Sequence, residues 1–243
     1  MKVPELKIGN TLIEYNIVRT NRKTLGINID LEEGVVVRSP EKLNNKKIED
    51  IVKNKSDWIL KKLDKLGEIK DKPAPKEFMS GEKLPYIGRR YRLKVIEDEN
   101  IKKAKVKLYQ GKFIVKVDPN LKGDKRREKI RDAFISWYRE HADKKIKKRV
   151  KKYKDQIGVE PNKIKVKKQK KRWGSCSNKG NLNFNWKLIM APMSIIDYLV
   201  VHEMTHLIYP DHSREFWEMV ETIIPDYKEK QEWLRINGNR LNI

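Results

Sequence analysis

Two histidines four residues apart, His202 and His206, lie within the run Tyr198-Leu-Val-Val-His-Glu-Met-Thr-His206. On a helix that spacing puts both imidazoles on one face, where they can hold one zinc ion. Glu203 stands beside the first of them, placed to act as a base on a water held by the metal. Ile195, Ile196, Leu199, Val200 and Leu207 give this helix a buried face. Ser194 followed by Asp197 reads as an N-cap with an acid at N3. Pro210 should end the helix, and a turn beyond it could return His212 as a third ligand. Three protein ligands leave a fourth position open, which is the arrangement of a catalytic rather than a structural zinc.

Cys176 is the only cysteine in 243 residues. It excludes an intramolecular disulfide and makes a reducing cytoplasm the expected compartment. No apolar h-region follows the first lysine, so no signal peptide is expected. No apolar run approaches the length of a membrane span.

The formal net charge of +23 is unevenly spread. Residues 121–172 hold 22 Lys+Arg against 7 Asp+Glu, whereas 194–243 hold 5 against 9. A basic segment of this kind suits nucleic acid, nucleotides or acidic polypeptides; a lysine-rich solvated surface accounts for the same composition.

Alternation and turn residues predict short strands at Thr11–Val18, Leu25–Asp30 and Gly34–Arg38, the last after a Glu-Glu-Gly turn. Asn44 or Asn45 caps a predicted helix to about Leu66, with Trp58 in its core face. Asp71-Lys-Pro-Ala-Pro75 reads as a linker. Strands resume at Tyr91–Ile96, Ala104–Tyr109 and Lys112–Val117, with Gln110-Gly111 as a hairpin turn. Gly81 and Gly88 read as turn glycines. A long helix is predicted from after Gly123-Asp124 to about Ile157, with His141 a buried, hydrogen-bonded side chain on its apolar face. Ile164–Lys168 and Asn181–Leu188 read as strands, the second as an edge for an extended peptide. Ser213 should cap one further helix and Pro225-Asp226 begin the last.

Arg22-Lys-Thr-Leu-Gly-Ile27, Arg172-Trp-Gly-Ser-Cys-Ser177, Ile196–His206 and His212-Ser-Arg-Glu-Phe-Trp217 together resemble the YgjP-like group of zincin-type metallopeptidases, itself distantly similar to the SprT and WLM proteases. Pro225–Lys228 and Trp233-Leu234 fit the same pattern, and the likeness is collinear from about Arg19 to Trp233. It implies a Zn(2+) site of His202, His206 and His212, with Glu203 as catalytic acid and base. It also implies an α+β fold, with a zincin-like metallopeptidase C-terminal domain and a β-rich N-terminal region. Met204, Thr205 and Asp211 depart from the expected pattern, and Thr205 would bring a hydroxyl near the site.

The expected division is a β-rich region plus helix at 1–75, a β-hairpin region at 76–120 and a zincin-like domain at 121–243, or one family domain throughout. Arg172, Tyr198 and Tyr209 are candidates for substrate or oxyanion contact. Cys176 is read as a small buried residue in a tight turn, a packing group behind the site, or a thiolate over the open metal position. Three functions stay open. The first is a metallopeptidase acting on a peptide or protein. The second is a zinc-dependent UTP pyrophosphatase, an activity that has been assigned to a YgjP-type protein. The third is a nucleic-acid-binding protein with a structural metal.

Overall fold

The computed structural model describes residues 4–8, 11–30, 33–69, 71, 73–169 and 171–243. The chain divides into two compact units, Met1–Lys70 and Asp71–Ile243. The fold class is α+β. Among the described residues no helix is long and apolar enough to cross a membrane.

The first unit holds strands β1 (Glu5–Ile8), β2 (Thr11–Thr20), β3 (Gly26–Asp30) and β4 (Gly34–Pro40) in the order β1-β2-β4-β3. The Glu-Glu-Gly turn lies partly outside the described residues. Helices α1 (Asn45–Asn54) and α2 (Ser56–Gly67) follow. Ile13, Tyr15, Val35 and Val37 from the sheet form a core with Ile48, Val52 and Ile59 from the helices. Asn44 caps α1, its side chain accepting from the Lys46 amide at 3.0 Å. The single helix expected here is two, broken at Lys55, whose φ of −105° and ψ of 7° leave the helical region. Apolar spacing runs on through the break, which is why periodicity conceals it. Trp58 is not core: it is 43% exposed, because Ile59 takes the inward position beside it.

The second unit opens with β5 (Lys83–Tyr86), β6 (Arg89–Glu97), β7 (Lys105–Tyr109) and β8 (Lys112–Val117), ordered β5-β6-β8-β7. Gln110 and Gly111 turn the β7–β8 hairpin with φ values of 45° and 72°, as a two-residue primed turn requires. Ile87 and Gly88 do the same between β5 and β6, so the residues around Pro85 form a strand that alternation does not reveal. At Gly88 a Cβ would lie 2.9 Å from Pro192 Cα, so the hairpin tip sits hard against the residue that precedes the metal-motif helix.

Helix α3 (Gly123–Ile157) buries Phe134, Trp137 and Tyr138 in one core with Phe113 and Leu93 of this sheet. His141 is half-buried, stacked on Trp137 at 3.7 Å, with Nδ1 2.8 Å from the Trp137 carbonyl. Next come β9 (Lys163–Lys167), β10 (Gly174–Cys176) and β11 (Asn181–Asn185), a 3-10 turn at Trp186–Met190, and helices α4 (Met193–Thr205), α5 (Arg214–Ile223) and α6 (Tyr227–Asn237). The small sheet runs β10-β11-β9, with β9 parallel to β11. The strand at 181–185 is therefore central rather than an edge, and β10 is the edge on its other side. Ser194 does not cap α4: Pro192 holds the cap position without a side-chain bond. Asp197 instead receives the Arg149 guanidinium of α3 through two hydrogen bonds, tying the long helix to α4.

Candidate metal centre

Helix α4 carries His202 and Glu203 on consecutive positions and ends at Thr205, five residues before Pro210, with His206 as its C-cap. The chain then turns, and Ser213 starts α5 by accepting from the Phe216 amide at 3.4 Å. That short return brings His212 back over the helix. The ligand-capable atoms of His202, His206 and His212 all lie within 4.8 Å of one another.

Each imidazole is held in place. His206 Nδ1 lies 3.0 Å from the Tyr209 carbonyl, which fixes its proton there and leaves Nε2 bare. His202 Nε2 and His212 Nε2 face each other at 3.2 Å, two nitrogens that repel as lone pairs unless a cation or proton sits between them. His202 Nδ1 is buried with no partner among the described residues. Burial, with His206 and His212 beside it, pulls the His202 pKa down to about 3, so the imidazole is neutral at physiological pH. Phe216 packs against His202 at 5.0 Å and His206 at 4.5 Å. Trp217 stacks on His212 at 5.4 Å and on Tyr227 at 5.0 Å, so α5 and α6 brace the returning histidine.

Glu203 is 4% exposed. Desolvation pushes its pKa up to about 8, against the opposing pull of the Arg172 charge and a hydrogen bond from the Cys176 amide. Its carboxylate lies over Gly174: a Cβ there would sit 2.4 Å from Glu203 Oε1. Gly174 thus belongs to the cleft, a place that neither its identity nor its spacing announces.

These groups line a cleft of about 600 Å³ walled by β10 on one side and by α4 with the His212 return on the other. Of the three candidate substrate contacts, Arg172 lines it. Tyr198 is buried beneath, 3% exposed, its phenol pushed up to about 12 by burial and by Glu203 and Tyr227. Tyr209 contributes its carbonyl to His206, and its side chain is not among those lining the cleft. Thr205 places no hydroxyl in the site: it is fully buried and donates to the Val201 carbonyl at 2.9 Å. Cys176 is not in a tight turn. It is a half-buried strand residue in the cleft wall, with its thiol pKa raised by desolvation and by Glu203, both of which disfavour a thiolate.

Residues 23–237 match the family described as YgjP-like, metallopeptidase domain. The chain belongs to the YgjP-like family. It is therefore a member of a metallopeptidase family, and that family implies a metal. Among solved structures, the crystal structure of the metallopeptidase zymogen of Pyrococcus abyssi abylysin is similar at 22% identity and a TM-score of 0.35, over 38% of this YgjP-like chain and 92% of that one. No curated protein sequence matches.

The donor set of the YgjP-like centre fits a dication. It offers three imidazole nitrogens, one pair already in mutual contact, with the buried Glu203 side chain outside the trio.

Proposed function

We propose that this YgjP-like protein is a zinc-dependent metallopeptidase in which His202, His206 and His212 hold the ion and Glu203 is the general base and acid. The observation that carries this reading is the convergence of three imidazoles in one cleft, beside the buried carboxylate of Glu203. A bound zinc supplies Lewis acidity towards a carbonyl and acidifies a neighbouring water. The charge of a bound dication would offset the burial of Glu203 and favour its ionised form, which would then take that water's proton and deliver it to the leaving amine. Arg172, at the mouth, offers a positive charge to the oxyanion that develops. Among the described residues strand β10 is paired on one side only, and an extended peptide can add to the other, with Ser175 and Cys176 at the scissile region.

The nucleotide reading has less to stand on here. Among the described residues lining the cleft, Arg172 is the cation that a triphosphate would meet, while the lysines of α3 lie along a helix outside that lining.

Metal analysis of protein purified without added zinc is the first test. One zinc per chain that is lost in His202→Ala, with peptide cleavage falling at least about a hundredfold in Glu203→Gln while the metal stays, is the expected result. UTP hydrolysis without peptide cleavage would replace this reading. A folded protein that takes up no metal on titration would end it.

A further inference from the structure

The outward face of the β5-β6-β8-β7 sheet carries charge of one sign. Register sets Lys83, Arg92 and Lys112 side by side across β5, β6 and β8, with Tyr109 of β7 at the end of the row. Lys105 stands opposite Lys116, and Lys94 and Lys107 flank Ile114 from either side. These basic side chains are exposed, while the alternate positions Leu84, Leu93, Phe113 and Val115 build the core. The row that carries Lys83, Arg92 and Lys112 holds no Asp or Glu, and the exposed carboxylate on these strands, Glu97, stands at the far end of β6, opposite Val117. Among the described residues, the one carboxylate paired with any of these cations is Asp98, just past β6, on Lys116 at 2.7 Å.

Like charges directly opposite on neighbouring strands destabilise a sheet, because their Cβ atoms are only about 5 Å apart. The sequence puts its largest basic excess at 121–172, and on α3 part of that charge is met by ion pairs: Lys144 with Glu140, Lys147 with Asp143, Arg149 with Asp197. On the sheet face that relief is confined to Lys116 with Asp98, and among the described residues the row Lys83–Arg92–Lys112 has no carboxylate partner, so its repulsion stays unanswered. A polyanion laid across the strands would remove it. Tyr109 is 48% exposed with Lys107 Nζ 4.5 Å from its ring, which offers a base a stacking surface where that row ends. The face presents no Asn or Gln to read base edges.

We propose that this sheet face binds a nucleic-acid strand through its phosphates, without base readout. The site is separate from the metal cleft and does not depend on it.

Fluorescence anisotropy with labelled single-stranded and duplex oligonucleotides of one arbitrary sequence tests it, from about 50 to 200 mM salt. Arg92→Gln/Lys94→Gln/Lys112→Gln should weaken binding at least about tenfold and make the salt slope shallower by about 2 to 3, since each lost phosphate contact takes away about 0.7 to 0.9. Lys144→Gln/Lys148→Gln/Lys151→Gln on α3 removes the same charge and should weaken binding less than about twofold. The sheet variant should melt at or above the wild-type temperature, because cross-strand repulsion is gone. If it does not fold, the single variants Arg92→Gln and Lys94→Gln carry the test, each expected to lower the slope by about 1. Tighter binding to either oligonucleotide form supports the proposal and identifies the strand state. Absence of binding to both, equal damage from the α3 variant, or preference for polyglutamate over both would overturn it.

Discussion

Gly174 shows how one missing atom shapes the centre. Its φ is not positive, so what the position needs is space rather than backbone freedom. A methyl there would meet Glu203 Oε1, Cδ and Cγ at 2.4 to 2.7 Å, and the backbone that bears it belongs to β10, which cannot recede without unpairing from β11. The carboxylate must move instead. Gly174→Ala is therefore expected to lower kcat/KM for peptide cleavage at least about tenfold while zinc stoichiometry stays at the wild-type value. Loss of zinc together with activity would show that Gly174 serves the ligands rather than the base. Thr205→Val, by contrast, should change activity less than about twofold, because the hydroxyl is consumed by its own helix. That His202, His206 and His212 come together is legible in their identity and spacing, which is also what makes Glu203 a candidate. The place of Gly174 is not, because its role depends on which side chain the fold lays over it.

At the scale of elements, the long helix and α4 are joined by the Arg149–Asp197 pair, with side-chain exposures of 21% and 13%. Arg149→Met strands a buried carboxylate. It should cost about 2 kcal/mol, the low side for breaking a buried pair because the guanidinium is partly solvated. Denaturant melts of Arg149→Met, Asp197→Leu and the double variant check this: the double should recover most of the loss, and strictly additive losses would mean that the two side chains do not couple. Tyr138 ties α3 to the other sheet, donating to the Pro85 carbonyl at 2.6 Å, and burial raises its pKa above the ordinary value of 10.0. A raised folded pKa leaves this contribution whole below about pH 10, where the phenol is protonated folded or unfolded, and removes it as pH climbs towards the folded value. Alkaline unfolding above about pH 10 should thus fall away in Tyr138→Phe, as followed by circular dichroism beside tyrosinate absorbance; an unchanged alkaline midpoint would assign the transition to other groups. Elements built from local pattern, such as α3 and the β7–β8 hairpin, could be read in advance. The parallel β9–β11 pairing and the central place of β11 could not, since strand order is set by contacts that no local alternation encodes. The Ser194 cap that the local pattern predicts does not form, and Asp197, its expected partner, is held by Arg149, 48 residues away in sequence.

Over the whole molecule, the two hydrophobic clusters share no residue: one runs from Leu6 to Leu63, the other from Phe78 to Ile243. All three candidate ligands belong to the unit that holds the larger cluster. A ligand that binds only a folded site stabilises the cooperative unit containing that site, by about 2.7 kcal/mol at a free concentration one hundred times its Kd. Calorimetry of the full chain should therefore show two transitions, of which zinc moves one. The moving transition should be the one with the larger enthalpy, since enthalpy scales with the number of residues that unfold. A chelator should return it to its starting temperature, and His202→Ala should abolish the shift while leaving the smaller transition where it was. The outcome discriminates between two ways of building this protein. If zinc moves both transitions together, the first unit unfolds with the metal centre and its stability is coupled to the site. If only the larger one moves, the first unit can lose or gain stability without touching the cleft, and variants at exposed Trp58 should alter the smaller transition alone.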